Sequence, residues 1–471
     1  MQHVSTRGEA PPLGFAEAML AGLARDGGLY VPETWPPLEA GTIAAFAGRP
    51  YAEVATDIIA RFVGDSIAEA DLARMVREAY GTFRHPAVAP ITQLGANTFA
   101  LELFHGPTLA FKDLAMQLLA RLMDRVLAGR GERRTIVVAT SGDTGGAAVE
   151  AFRGRSQVDL VVLFPQGRIS DVQRRMMTTA AADNINAIAI DGTFDDCQAI
   201  VKGLFNHHAF ADRVRLSGVN SINWARIVAQ TVYYFTAAVA LGAPHRKVAF
   251  TVPTGNFGDI YAGYVAQRMG LPIDRLVIAT NVNDILARTL ATGTYELRDV
   301  VATSSPSMDI QVSSNFERLL FDAYGRNGSA IRALMGSLAQ SRRFTLSAQA
   351  LSQIRAQFAA GRADEDEVAA TIRTVKRETG HFVDPHTAVG IAVAEKEPRD
   401  PAVPMVVLST AHAAKFPDAV AAACGVRPQL PEWLSDLDKR PERVTVLPVD
   451  QSAVERFVLK TSRAAQEGAA A

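Results

Sequence analysis

The sequence predicts an α/β protein with open, parallel-rich sheets and flanking helices, preceded by a mainly helical N-terminal domain. Short apolar runs at 135–140, 160–164, 187–190 and 248–252 are separated by segments of helical length. This alternation is typical of parallel strands joined by crossover helices. Glycine-containing turns follow two of the runs directly. Such turns mark the edge of the sheet at which open α/β folds bind ligands.

At 471 residues the chain is too long for one ordinary core. We divide it into an N-terminal domain at 1–95, a region of two α/β subdomains at 96–465 and a tail at 466–471 that we expect to be disordered. The uncharged run at 227–244 contains Gln230, Thr231 and two tyrosines, so it predicts a buried core helix and not a membrane span.

Composition and charge exclude several classes of function. The 48 basic and 49 acidic side chains give a net charge of -1, so we expect no nucleic-acid or anionic-membrane partner. The two cysteines, Cys197 and Cys424, lack metal-ligand spacing, and we expect neither a metal site nor a disulfide. The N-terminus carries no secretion signal, which favours a cytoplasmic protein.

The stretch from His105 to Asp113 places Lys112 between an apolar run at 99–104 and a segment at 114–127 that is apolar at helical spacing. Lys112 therefore lies at a predicted strand-to-helix junction. A lysine beside Phe111 and an apolar helix is partly desolvated, which favours the neutral amine that attacks a carbonyl. The alternative is a solvated surface lysine, which is the more common fate of lysines in general.

Two further turns have the features of anion sites. Ser141-Gly142-Asp143-Thr144 follows the run at 135–140, and Gly255-Asn256-Phe257-Gly258-Asp259 follows the run at 248–252. Each turn precedes a predicted helix, whose first N–H groups and dipole favour an anion. Glycines also allow successive N–H groups to form a nest. The first turn is equally typical of a helix cap that binds nothing.

Two polar segments complete the set of candidates. Asn220 and Arg226 flank a stretch before the predicted buried helix, and the arginine fork suits a phosphate, although asparagines before helices are often only caps. Thr410 follows a predicted strand at 405–408 within Ser409-Thr410-Ala411-His412-Ala413-Ala414-Lys415-Phe416. His386, near the start of another helix, is more typical of a structural histidine than of an acid or base.

These segments together resemble the threonine synthase family, pyridoxal-phosphate enzymes of fold type II, the tryptophan synthase β-like fold. The resemblance rests on HGPT-x-x-FKD, SGDTG, NSINWAR, GNFGD and LSTAH-x-AKF in one order along the chain, with Ala413 in place of the family's proline. It implies that Lys112 holds the cofactor, that residues 255–259 cradle its phosphate and that Thr410 contacts its ring nitrogen. It also implies that Ser141, Thr144 and, more weakly, Gly142 and Asp143 bind the substrate, and that Asn220 and Arg226 bind the substrate phosphate.

The function implied by the resemblance is conversion of O-phospho-L-homoserine and water to L-threonine and phosphate, by a monomer or homodimer. Alternatives within the fold are an O-phosphohomoserine lyase and a serine/threonine dehydratase. A substrate without phosphate would leave Arg226 unpaired, which disfavours the dehydratase. The non-enzymatic alternative is a phosphometabolite sensor, which the presence of Lys112 disfavours.

Overall fold

The structure is a computed structural model that describes the backbone of residues 1–470 and the side chains of residues 1–467. Its strands are β1 Gln2–Ser5, β2 Leu13–Gly14, β3 Tyr30–Pro32, β4 Ile91–Gly95, β5 Thr98–Glu102, β6 Arg134–Ala139, β7 Val158–Pro165, β8 Ile185–Ile190, β9 Leu216–Ser217, β10 Val248–Pro253, β11 Ile273–Thr280, β12 Thr294–Glu296, β13 Arg343–Thr345, β14 Phe358–Arg362, β15 Met405–Ser409 and β16 Thr445–Leu447.

Helices surround these strands and account for most of the chain between them. They are α1 Phe15–Ala21, α2 Ala40–Ala44, α3 Tyr51–Val63, α4 Glu69–Tyr80, α5 Lys112–Arg130, α6 Asp143–Phe152, α7 Asp171–Thr178, α8 Phe194–Asn206, α9 His208–Arg213, α10 Trp224–Ala240, α11 Gly258–Arg268, α12 Ile285–Thr292, α13 Phe316–Ala323, α14 Gly328–Ser341, α15 Ala348–Arg355, α16 Glu365–Thr379, α17 Pro385–Lys396, α18 Pro417–Cys424, α19 Gln451–Thr461 and α20 Arg463–Ala470.

Two separate α/β sheets form the body of the molecule. The six-stranded sheet has the order β14-β11-β10-β15-β5-β4 and is parallel except for the β4–β5 pair. The five-stranded sheet has the order β16-β8-β7-β6-β9 and is parallel throughout. Almost every residue of β6, β7, β10 and β15 is buried, as expected for strands covered by helices on both faces.

The N-terminal region contains four helices, as the sequence predicts, together with a small antiparallel sheet of order β2-β1-β3. The proposed boundary at residue 95 falls directly after β4, which nevertheless pairs with β5 in the six-stranded sheet. The division into a domain at 1–95 and two α/β subdomains at 96–465 therefore remains our proposal, and the presence of two α/β sheets supports it.

Helix α10 crosses the core, and nearly all of its side chains are buried. It corresponds to the uncharged run at 227–244, which is confirmed as a core helix. Among the described residues, no helix is long and apolar enough to cross a membrane. Helix α16 begins with a capping box between Asp364 and Glu367 and ends at Gly380, in the left-handed conformation.

Two elements differ from the sequence-based expectation. Strands β11 and β14 extend the larger sheet, but their segments contain charged residues at 274–275 and glycine at 361, which obscure the pattern of a buried strand. The tail at 466–471, for which the sequence predicts disorder, begins inside α20 and has a helical backbone as far as residue 470. The side chains of 468–470 and the whole of residue 471 lie outside the described part of the chain.

Candidate active site

A cavity of about 580 Å³ lies where loops from both α/β sheets meet. The loops that follow β5, β6, β10 and β15 all reach it, because the carboxyl ends of parallel strands share one edge of a sheet. Twelve of the thirteen site residues predicted from the sequence line this cavity: Lys112, Ser141, Asp143, Thr144, Asn220, Arg226, Gly255, Asn256, Phe257, Gly258, Asp259 and Thr410. Gly142 is the exception.

Lys112 is the first residue of α5 and is only 8% exposed. Its Nζ lies 3.4 Å from Oδ2 of Asp143 and 4.7 Å from the ring centre of Phe111. Burial lowers the pKa of Lys112, while the Asp143 carboxylate opposes part of that effect. The result is a buried amine that can lose its proton more easily than a surface lysine, which is the property needed for attack on an aldehyde.

The turn after β6 is built around Thr140. The Thr140 hydroxyl accepts hydrogen bonds from the N–H groups of Gly142 and Gly145, both at 2.9 Å. Gly142 has a φ of 130°, and a Cβ there would approach the Gln173 side chain to 2.4 Å. The N–H of Gly142 therefore already has a partner within the protein. The substrate contact that the sequence predicts, more weakly, for Gly142 remains a prediction. Ser141 and Thr144 line the cavity, and the latter belongs to the first turn of α6.

Asp143 is 3% exposed, and its carboxylate is already bound by protein groups. Lys112 contacts one oxygen, while Lys415 at 2.7 Å and the Gln173 amide at 3.0 Å contact the other. The two lysines hold the pKa of Asp143 well below its usual range, although burial alone would raise it. An anionic substrate group would be repelled by this carboxylate, so only the backbone of Asp143 is suited to bind it.

The loop after β10 forms a cradle at the start of α11. Phe257 adopts a left-handed backbone with φ of 62°, and its buried ring packs against Phe316. A Cβ at Gly255 would approach the Ser307 carbonyl oxygen to 2.5 Å, so the loop requires glycine there. The first N–H groups of α11 have no partners within the helix and lie at the positive end of its dipole. This geometry suits a phosphate.

Asp259 is the second residue of α11, and its carboxyl group is held by protein groups. Its Oδ1 accepts hydrogen bonds from the hydroxyls of Tyr233 and Tyr234, and its buried Oδ2 has no partner among the described residues. Burial raises the pKa of Asp259 to about 7. A carboxyl group with this pKa is about half protonated at pH 7, which reduces the repulsion that a fully ionised one would exert on a nearby phosphate.

Arg226 is a buried cation with spare donors. It is 3% exposed, and its Nη1 donates to the Val219 carbonyl at 3.2 Å. Its buried Nε has no hydrogen-bond partner among the described residues. Burial lowers the pKa of Arg226 to about 10, which leaves it charged at neutral pH. Burial of a guanidinium without a counter-ion is unfavourable in free energy unless an anion binds beside it and accepts its free hydrogen bonds.

The two asparagines of this segment have different positions. Asn220 is exposed at the edge of the cavity. Asn223 caps α10 by accepting from the N–H of Ala225 at 3.1 Å, so it is a helix cap, the interpretation left open from the sequence.

Thr410 and His386 also line the cavity. The Thr410 carbonyl accepts from the N–H of Phe111 at 2.8 Å, which ties the end of β15 to the residue before Lys112. His386 has Nδ1 2.6 Å from Asp384 and Nε2 3.3 Å from the N–H of Ser307. Both ring nitrogens are therefore engaged, as expected for a structural histidine.

Several supporting residues were missed from the sequence. Ser313 donates to the Gly255 carbonyl at 2.6 Å, and Asn315 donates to the Asn256 carbonyl at 2.9 Å, so both brace the cradle. Lys415 braces Asp143 from the other side. In the sequence, these residues lie in polar clusters within segments that are otherwise recognisable. A polar cluster does not indicate which residues its members will contact.

The donors in this cavity fit a phosphorylated aldehyde and an anionic substrate. Lys112 supplies the amine, the 255–259 loop supplies one anion cradle, and the start of α6 with Arg226 supplies a second. The two cradles follow strands of different sheets, and Lys112 lines the same cavity. This arrangement satisfies what a pyridoxal-phosphate enzyme acting on a charged substrate requires.

Comparison with known proteins gives the same answer along nearly the whole chain. The family models "Threonine synthase N terminus", "Pyridoxal-phosphate dependent enzyme" and "Threonine synthase, C-terminal" match residues 2–80, 82–410 and 387–458. A threonine synthase from Pseudomonas aeruginosa is 53% identical over 97% of this chain and 98% of its own length.

Solved structures agree with these matches. A pyridoxal-phosphate-bound threonine synthase from Brucella melitensis is 62% identical, with a TM-score of 0.96 over 98% of this chain and 100% of its own. The yeast threonine synthase is 37% identical, with a TM-score of 0.92 over 98% of each chain. These matches confirm the predicted family, fold type and cofactor. The chain therefore belongs to the threonine synthase family of pyridoxal-phosphate-dependent enzymes.

Proposed function

We propose that this enzyme converts O-phospho-L-homoserine and water to L-threonine and phosphate. The observation that carries the proposal is the buried Arg226, which lines the same cavity as Lys112 and whose Nε has no hydrogen-bond partner among the described residues. A guanidinium with no protein partner for Nε is suited to a substrate that brings its own phosphate. A substrate without phosphate, such as serine or threonine, would leave this buried charge uncompensated.

The cofactor, when bound, supplies an electron sink for negative charge that develops on the substrate carbon atoms. We assign Lys112 to hold it, the 255–259 loop to bind its phosphate, and the Thr410 hydroxyl to contact its ring nitrogen. A hydroxyl partner does not favour protonation of that nitrogen as a carboxylate would. Electron withdrawal is then moderate, which suits a controlled elimination.

The substrate would be held at both ends by the chain's own groups. Ser141, Thr144 and the first N–H groups of α6 are suited to its carboxylate, whereas Arg226 and Asn220 are suited to its phosphate. This orientation places the substrate carbon atoms near Lys112 Nζ, which has the lowered pKa needed to take up and return protons at Cα and Cβ. The leaving phosphate remains bound to Arg226 while water adds at Cβ.

The test is product analysis of the cofactor-loaded enzyme with O-phosphohomoserine, following threonine, 2-oxobutyrate and phosphate in one reaction. We expect threonine and phosphate in equal amounts, and neither product from Lys112→Ala. A matched control is Lys396→Ala, since Lys396 is an exposed lysine paired with Glu367. Phosphate with 2-oxobutyrate would instead indicate an O-phosphohomoserine lyase. Turnover of serine or threonine in preference to the phosphorylated substrate would indicate a dehydratase, and binding without turnover a sensor.

We also propose that the enzyme acts in the cytoplasm as a monomer or homodimer. Both cysteines are free in the structure, in keeping with a reducing compartment. Light scattering of the purified protein would report its mass, and a mass of a trimer or larger would contradict this part of the proposal.

A further inference from the structure

A second buried lysine lies beside the cavity and has no place in the mechanism described so far. Lys415 is in the turn between β15 and α18 and is 1% exposed. Its Nζ donates to the Thr108 carbonyl at 2.8 Å and contacts Asp143 Oδ1 at 2.7 Å. A lysine this deeply buried is costly unless its charge is paired. In the sequence, Lys415 lies within the family-like segment at 409–416, whose pattern predicts no role for it.

The contacts of Lys415 link the loops on both sides of the cavity. Thr108 belongs to the segment that leads into Lys112, and its N–H and hydroxyl both donate to the Asp113 carboxylate at 2.7 Å. Asp143 belongs to the loop of the other sheet and contacts Lys112 at 3.4 Å through its second oxygen. The order Lys415, Asp143, Lys112 is therefore a chain of alternating charges in which one carboxylate is shared by two ammonium groups.

This sharing has an electrostatic consequence for Lys112. The Asp143 carboxylate stabilises the charged form of Lys112, whereas Lys415 repels it and also draws the carboxylate towards itself. Four other charged or titratable groups on neighbouring elements face these three residues. His386 faces Asp143, Arg226 and Asp259 face Lys112, and Asp113 faces Lys415.

We propose that Lys415, acting through Asp143, is a positioning residue that orients the nitrogen of Lys112 and sets the pH range in which that nitrogen exchanges its proton. The proposal rests on the role assigned above to Lys112 as the cofactor-binding lysine. According to this proposal, the Asp143 carboxylate contacts Lys112 and Lys415 and does not contact the substrate.

The test is a pH titration of the absorbance band of the cofactor on Lys112 in the loaded enzyme, without substrate. In Asp143→Asn the stabilising anion is lost, so the midpoint should fall by about one pH unit or more, the size of effect that an adjacent charge produces. In Lys415→Met the repelling cation is lost and Asp143 can serve Lys112 alone, so the midpoint should rise by about the same amount. Lys415→Arg keeps the charge and should stay near the wild-type midpoint.

The opposite directions of the two shifts separate this role from a structural one. A residue that only supports the fold would move neither midpoint, or both in the same direction, and either result would overturn the proposal. Lys396→Met removes an exposed lysine and should leave the midpoint unchanged. If Lys415→Met does not fold, Lys415→Gln keeps a donor for the Thr108 carbonyl and must give the same rise.

Because no substrate is present, the titration is independent of the reaction catalysed. Threonine formation with unshifted midpoints would overturn the role of Lys415 alone. Opposite shifts without threonine formation would overturn the proposed reaction while leaving the role of Lys415 in place.

Discussion

Replacement of Arg226 tests the substrate phosphate site most directly. Arg226→Met keeps most of the apolar stem but removes every N–H donor and the charge. In the wild type only Nη1 has a protein partner, the Val219 carbonyl, while the buried Nε has none among the described residues. We therefore expect the loss to fall on substrate binding and turnover more than on folding.

The magnitude follows from the number of free donors. A hydrogen bond between charged groups contributes about 1.5–3 kcal/mol, and an arginine fork makes two such bonds to a phosphate, or about 3–6 kcal/mol. At about 1.4 kcal/mol for each factor of ten, kcat/KM for O-phosphohomoserine should fall by about 10²- to 10⁴-fold in Arg226→Met. Arg226→Lys keeps the charge without the fork and should lie between this variant and the wild type.

The assay is the rate of phosphate release, with cofactor absorbance and thermal unfolding as controls for an intact site. Inorganic phosphate should also compete with the substrate in the wild type, and this inhibition should weaken in parallel in Arg226→Met. A variant that is fully loaded with cofactor and retains kcat/KM within fivefold of the wild type would refute the assignment of Arg226.

Three further predictions concern Gly255 in the cofactor cradle, the buried carboxyl of Asp259, and the ion pair between Arg7 and Glu317. Gly255→Ala should weaken cofactor binding at least tenfold, measured by absorbance titration, because its Cβ would meet the Ser307 carbonyl, whereas Gly336→Ala, with no atom within 4 Å of the added carbon, should not. Asp259 keeps its proton in the folded state up to about pH 7 but ionises near its usual pKa of 3.8 when unfolded, so cofactor-free protein should lose stability as the pH rises between these values. Asp259→Asn should remove this slope and melt several degrees above the wild type at pH 8; equal pH dependence of the melting temperature would contradict the prediction. Arg7→Met should lower the free energy of unfolding by about 1–3 kcal/mol in a urea titration because it leaves the buried Glu317 without its cation, while Arg153→Met, in an exposed pair with Glu150, should change it by less than about 1 kcal/mol.

Much of the site could be predicted from the sequence because its parts are local. A strand, a glycine turn and a helix start are encoded within about ten consecutive residues. The loops at 141–144 and 255–259 are of this kind, and the rule that parallel strands end at one edge of a sheet then brings them together. The position of Lys112 at the start of α5 follows from the same reasoning.

The supporting residues could not be predicted because their partners are distant in the chain. Asn315 braces a loop 59 positions earlier, and Lys415 contacts the carbonyl of Thr108, 307 positions away. Thr6 and Arg7 contact Glu317, which lies 311 and 310 positions later in the chain. A single sequence indicates that such residues are polar, but their pairing depends on how the two sheets pack.

The charges of the cavity explain why it suits a phosphorylated cofactor and the anionic substrate that we propose. Lys112, Lys415 and Arg226 are three buried cations, and Asp143 is the one carboxylate whose pKa is held low beside them. The other buried carboxyl that lines the cavity, Asp259, has its pKa raised to about 7 and so carries only about half a negative charge at neutral pH. The excess of positive charge is unfavourable to bury on its own. It becomes favourable when the cofactor phosphate and an anionic substrate enter, so part of the binding energy arises from relief of this imbalance. The Asp143 carboxylate contacts both Lys112 and Lys415 and offsets part of the positive charge around Lys112. The Lys112 amine can therefore remain both buried and reactive.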